Sequence, residues 1–110
     1  MENLCKIKEV FRKIQQFEQK LNNELNVTIN EAMVLCSLYE ARKCSGDIST
    51  DTGISPSRAS RVLLSLEQKG YIIRSLGDKD KRKMMFELSA EGEKKKLEIS
   101  DMEFKLDFNE

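Results

Sequence analysis

The chain has 110 residues, 35% of them charged and 39% hydrophobic, which fits one domain around one core and leaves no room for a second lobe. It has no histidine, and its three cysteines, Cys5, Cys36 and Cys44, are far apart. That excludes Ser/His/Asp and Cys/His nucleophiles, His-containing zinc sites and Cys-x-x-Cys ligand pairs. The five glycines are too scattered for a phosphate-cradling loop, so no enzymatic activity, cofactor or metal is expected. No apolar run approaches the length of a membrane span, and Met1 to Ile14 is charged throughout; a cytoplasmic protein without a membrane partner is expected.

The formal net charge of zero hides a segregation. Residues 1–41 carry five Lys/Arg against six Asp/Glu, residues 42–83 ten against five, and residues 84–110 four against eight. Basic charge gathered into the middle third is the footprint that a polyanion binder needs.

Residues 3–25 place Leu4, Ile7, Phe11, Ile14, Phe17, Leu21 and Leu25 at steps of three and four without Gly or Pro, which predicts one long amphipathic helix with a heptad-like seam. Asn22, Asn23 and Asn26 weaken its end. Thr28-Ile29-Asn30-Glu31 is a capping box, in which the Thr hydroxyl and the Glu carboxylate each satisfy an amide at the other end. It opens a second helix reaching to about Arg42, with Ala32, Leu35, Leu38 and Tyr39 inward and Cys36 packed as a small hydrophobe.

Residues 45–52 predict a two-turn helix anchored by Ile48 and ended by Gly53 in a left-handed conformation. Ser55-Pro56 is a strong helix start, with the serine as cap and the proline at the first helical position. The helix it opens runs to Lys69 and stops at Gly70. Ala59, Val62, Leu63 and Leu66 share its buried face, and Ser57, Arg58, Ser60, Arg61 and Ser65 fill the remaining circumference. Residues 71–76 and 84–88 read as two strands joined by the charged turn 77–83. Ser89-Ala90-Glu91-Gly92 opens a last helix, whose apolar positions Leu97, Ile99, Met102, Phe104, Leu106 and Phe108 settle on no single stripe.

A short helix, a tight turn and a second helix make a helix-turn-helix, whose second helix enters the DNA major groove with its first two turns at base edges. On that reading Ser55, Ser57, Arg58, Ser60, Arg61 and Ser65 face the duplex: serines let the backbone approach, and arginine bonds guanine bidentately. The hairpin that follows, with Lys79, Asp80, Lys81, Arg82 and Lys83 at its tip, makes it a winged helix. Asp80 and Arg82, two apart, would share one face of an extended strand, so that the carboxylate orients the guanidinium. Asp78-Lys79-Asp80 has the look of a calcium-loop start, but lysines and Arg82 intermingle with the carboxylates and no closing Glu follows.

These residues resemble the MarR family of bacterial transcriptional regulators. Leu66-Glu67-Gln68-Lys69-Gly70-Tyr71-Ile72-Ile73-Arg74 is similar to the family's passage from recognition helix into wing, Asp80-Lys81-Arg82 to its Asp-x-Arg wing tip, and Leu88-Ser89-Ala90-Glu91-Gly92 to its Leu-Thr-x-x-Gly. The resemblance spans residues 28–92. It implies a homodimeric regulator on a pseudo-palindromic double-stranded operator, with the wing arginine in the minor groove, and it leaves room for a small-molecule effector that the sequence does not identify. Members of that family end in two long helices, whereas here one helix follows the wing. Dimerisation is therefore expected to rest on Leu4, Ile7, Phe11 and Ile14 and on whatever residues 93–110 form. The expectation is a single α+β, mainly helical domain over 1–110. It comprises a long N-terminal helix (1–27), a winged helix-turn-helix with a two-stranded wing (28–92) and a C-terminal helix or tail (93–110). Two alternatives remain at this stage: a winged helix that binds protein instead of DNA, and a thiol-based redox regulator acting through Cys5.

Overall fold

The computed structural model describes residues 2–102. Five helices and three short strands follow in the order α1 (Glu2–Leu25), α2 (Ile29–Glu40), β1 (Lys43–Cys44), α3 (Ser45–Thr52), α4 (Pro56–Gln68), β2 (Ile72–Leu76), β3 (Met84–Leu88) and α5 (Ala90–Ser100). The mainly helical winged-helix reading holds, with one correction. The sheet has three strands in the order β1-β3-β2, all antiparallel, because Lys43 and Cys44 pair with Phe86 and Met85 along the free edge of the hairpin. A two-residue strand has too few positions to show alternation, and it forms only because β3 offers it a ladder.

The boundaries follow local chemistry. Asn26 closes α1 in the left-handed region at φ 57°, which Asn tolerates better than other non-glycine residues. Thr28 and Glu31 form the capping box at 3.1 and 2.9 Å. Ser55 caps α4 with Pro56 behind it, and Gly53 ends α3 at φ 78°. Helix α2 ends at Glu40, and its packing corrects two expectations. Tyr39 is not inward: it is 47% exposed, with the Lys96 ammonium 4.1 Å above its ring. Cys36 is exposed, not packed. Apolar residues occupy α2 nearly all round, so two stripes were available to sequence periodicity and the inner one is Val34, Leu35 and Leu38.

The main core joins these three to Ile48, Ile54, Ala59, Leu63, Leu66, Ile72 and Phe86, drawing on α2, α3, α4 and the sheet. A second cluster of Leu21, Val27 and Ala32, with Ile99 and Met102 against it, seats the C-terminal part of α1 on α2 and α5. The N-terminal half of α1 reaches beyond both clusters. Leu4, Ile7 and Phe11 are more than half exposed there, and Ile14 is half-buried. Gly92 lets α5 start hard against the turn after α4, since a Cβ there would lie 1.9 Å from the Tyr71 carbonyl oxygen. Of the apolar tail residues, Phe104, Leu106 and Phe108 lie outside the described residues, and Leu97 is exposed. No helix among the described residues is long and apolar enough to cross a membrane.

Candidate nucleic-acid interface

Burial of Ala59, Leu63 and Leu66 fixes the rotation of α4. At 100° per residue, Ser57, Arg61, Leu64 and Gln68 then occupy the side opposite the core, and all four are exposed. Ser60 is exposed on the flank toward the wing, and Arg58 is exposed on the flank toward α2. Arg58 stands between two open clefts. One, of about 420 Å³, is lined by Asn30, Arg61, Val62 and Ser65 among others; the second, of about 380 Å³, reaches Met33 and Gly53. Ser55 is exposed at the cap, where its hydroxyl oxygen accepts the Arg58 backbone N–H at 3.4 Å. The sequence-derived set on α4 is thus brought onto one exposed surface, apart from Ser65. That side chain turns toward α2 and donates to the Glu31 carboxylate at 2.7 Å.

The sequence shows Glu31 only as half of a capping box, but in the fold it is the centre of a buried polar network. It is 3% exposed and takes hydrogen bonds from the Thr28 amide, the Ser65 hydroxyl and the Lys69 ammonium, at 2.9, 2.7 and 2.9 Å. Burial alone would raise the carboxyl's pKa. Hydrogen bonds from Lys69, Thr28 and Ser65 outweigh it and hold the group below the ordinary glutamate value. The network ties the start of α2 to the end of α4 and sets where the outward face of α4 stands.

The wing is positioned by two contacts that sequence reading missed. Arg74 on β2 grips Glu67 on α4 with two hydrogen bonds of 2.6 and 2.5 Å, and its guanidinium carbon lies 5.6 Å from the Phe86 ring centroid. These bonds hold the Glu67 carboxyl below its usual range. A fork-to-fork pair fixes direction as well as distance, so the helix and the strand after it are locked together. Arg42 then braces the base of the tip, donating to the Leu76 carbonyl at 2.8 Å, the Ser75 hydroxyl at 2.9 Å and Asp78 at 3.2 Å.

At the tip, Asp80 and Arg82 do pair, but not along an extended strand. Residues 80–83 form a turn in which the Lys83 N–H donates to the Asp80 carbonyl at 3.0 Å. Asp80 accepts the Arg82 backbone N–H at 3.0 Å and its Nε at 3.4 Å. This is the Asx-turn habit of aspartate, and it reaches the same pairing by a different backbone. The Arg82 side chain is 95% exposed, and Lys79, Lys81 and Lys83 are exposed around it. Gly77 closes the tip from below: its N–H donates to the Lys83 carbonyl at 2.8 Å, and a Cβ would meet the Asp80 carbonyl oxygen at 2.6 Å.

A helix face of hydroxyls and arginine beside a rigidly attached basic hairpin is suited chemically to a polyanion with a groove. BldR, a transcriptional regulator from Sulfolobus solfataricus, has a similar fold with a TM-score of 0.83 at 21% identity, over 91% of this chain and 73% of that one. YusO from Bacillus subtilis matches with a TM-score of 0.72 at 27% identity, over 90% and 71%. A mutant MarR from E. coli, solved in complex with operator DNA, matches with a TM-score of 0.73 at 22% identity, over 89% and 73%. No curated protein matched the chain by sequence. The profile of the transcriptional regulators SarA/Rot matches residues 16–99, which takes in the last ten residues of α1, the whole helix-turn-helix, the wing and nearly all of α5. The chain therefore belongs to the SarA/Rot family of transcriptional regulators and has the winged-helix fold of the MarR type.

Proposed function

We propose that this regulator binds double-stranded DNA sequence-specifically as a homodimer, with α4 in the major groove and the wing tip in the minor groove. The observation that carries the reading is the outward surface of α4 together with Arg82. Ser57 and Arg61 face away from the core, Ser60 and Arg58 stand exposed on the two flanks beside them, and the wing that presents Arg82 is clamped to the same helix by Glu67 and Arg74. A major groove about 12 Å wide admits one helix, and an arginine presented at full exposure suits the negative potential of a narrow A·T-rich minor groove. Ser55, at the open start of α4, is placed for a backbone phosphate. Ser65 positions α4 through Glu31 and makes no base contact. The same fold is seen on operator DNA in the E. coli MarR structure.

The dimer reading rests on α1. Leu4 and Phe11 are 64% and 63% exposed and Ile7 51%, on the half of the helix that no core cluster covers. A second copy laid along this seam would bury it, and two α4 helices would then meet two half-sites of a pseudo-palindrome.

The test is titration of the recombinant protein against random duplex and against the DNA upstream of its own coding sequence, at several salt concentrations, with sedimentation alongside. Tighter binding to one sequence and a steep loss of affinity with salt are expected. Arg61→Ala should relax sequence preference, whereas Arg58→Ala should weaken all duplexes alike. Phe11→Glu should give a folded monomer with much weaker binding. Affinity for every duplex that ignores both salt and Arg61→Ala would overturn the DNA reading in favour of a protein-binding module. A parent protein that sediments as a monomer at micromolar concentration would overturn the dimer.

A further inference from the structure

Leu64 was not singled out by its sequence position, but the rotation of α4 places it in the middle of the outward face. It is 52% exposed and lies outside both core clusters. Its neighbours one turn back are Ser60 and Arg61, Ser57 lies two turns back, and Gln68 follows one turn on. Every other side chain on that face carries a hydrogen-bonding group, so Leu64 is its one apolar member.

The major groove has a matching asymmetry. Its base edges present acceptors and donors, and one apolar group, the C5-methyl of thymine. A serine or an arginine gains nothing from that methyl, whereas a leucine removes it from water. Position matters as well. Seven residues of helix from Ser57 to Leu64 span about 10.5 Å, close to three base-pair steps at about 3.4 Å each along a strand. Arg61 and Leu64 are three residues, about 4.5 Å, apart along the axis, so they would meet adjacent base pairs.

We infer that Leu64 is a specificity-determining residue that selects thymine at one position of each half-site through its C5-methyl group, next to the base pair contacted by Arg61. This rests on the major-groove placement of α4 proposed above. It assigns a polar and an apolar readout to consecutive positions of one helix face, and it specifies an A·T pair where the arginine specifies G·C.

The experiment separates the two readings. A consensus duplex is first selected from a random pool with the full-length protein. Each thymine of the consensus is then replaced in turn by deoxyuridine, which removes the methyl and leaves Watson–Crick pairing intact. Each duplex is titrated with the parent protein and with Leu64→Ala. One thymine per half-site is expected at which uracil weakens the parent by about fourfold, the worth of one buried methyl. The same replacement should leave Leu64→Ala unaffected, and 5-methylcytosine paired with guanine at that position should recover part of the parent's affinity. If uracil is tolerated everywhere, or lowers both proteins equally at every position, the Leu64 assignment is overturned while DNA binding stands. If no consensus can be selected because no duplex is bound, the major-groove placement itself falls. The modification sits on the DNA, so a destabilised variant cannot produce the expected pattern.

Discussion

Replacing Glu31 by Gln isolates the electrostatic content of the α2–α4 junction at nearly constant shape. Glutamine retains one acceptor oxygen for the Thr28 amide or the Ser65 hydroxyl but loses the charge that holds Lys69. That ammonium keeps the Asn26 carbonyl at 2.8 Å and is 28% exposed in its side chain, so it is not stranded. The loss should therefore sit below the full penalty of an orphaned buried charge, at about 2 kcal/mol. Glu31→Ala leaves the Thr28 amide and the Ser65 hydroxyl without an acceptor as well, and should cost about 3 kcal/mol or more. Geometry alone does not predict this ranking. Lys95 and Glu98 also approach to 2.8 Å, but Glu98 is solvated, and Glu98→Gln should leave the urea midpoint unchanged.

The pH dependence follows from the direction of the Glu31 shift. Its folded pKa is depressed, so its contribution is fully present above the unfolded-state value of 4.5 and is lost as pH falls through the lower folded value. Urea unfolding of parent and Glu31→Gln should give a constant difference in stability from about pH 7 to pH 5, consistent with a fully ionised carboxylate over that range. Below 4.5 the parent should fall toward the variant. A difference that stays constant through the acid limb would refute the claim that charge, rather than packing, holds this junction.

Three further substitutions probe the frame and the wing. Gly92→Ala forces a methyl into the Tyr71 carbonyl and should cost about 3 kcal/mol, seen as a drop in Tm of about 10 °C. Gly77→Ala pushes on the Asp80 carbonyl at the tip, so it should weaken DNA binding severalfold, with NMR shift changes confined to the wing and little change in Tm. Arg82→Lys keeps the charge but loses the planar fork; it should abolish the preference for A·T-rich flanks in a flank-variant titration and leave affinity for other flanks nearly unchanged.

What was legible in the sequence was mostly what is settled within a few residues. The capping box at Thr28, Ser55-Pro56 and the left-handed Gly53 each solve a local hydrogen-bond or dihedral problem, and each appears in place. The hairpin strands were legible because a β-branched and aromatic run and an apolar run flank a charged turn. What was not legible depends on partners distant in sequence. Strand β1 exists only against β3, and the inner face of α2 is chosen by α3, α4 and the sheet. The pair Glu31–Lys69 joins the start of α2 to the end of α4, and Glu67–Arg74 joins the end of α4 to β2, and no local pattern connects either. The wing tip shows a subtler gap: the spacing of Asp80 and Arg82 pointed to the correct pair by way of the wrong backbone, because an Asx turn and an extended strand both bring residues i and i+2 together.

Those distant pairs also determine where the basic charge of the middle third is available. Of its ten Lys/Arg, Arg42 is held by Asp78, Lys43 by Glu40 and Asp51, Lys69 by Glu31 and Arg74 by Glu67. The pairing consumes acids along with bases. The other six are Arg58 and Arg61 on α4 and Lys79, Lys81, Arg82 and Lys83 on the wing tip, with Asp80 against Arg82. A net charge spread over forty residues of sequence is thus concentrated on two rigidly joined elements. In the proposed complex each cation that neutralises a phosphate contributes about 0.9 to the slope of log affinity against log salt. Lys81→Gln should therefore lower that slope by about 0.9 for each protomer bound. Lys43→Gln removes the same formal charge from the protein, yet it should leave the slope where it was, because Lys43 faces Ser37, Glu40 and Asp51 rather than solvent. Equal effects from the two substitutions would mean that total charge, not its placement by the fold, governs binding.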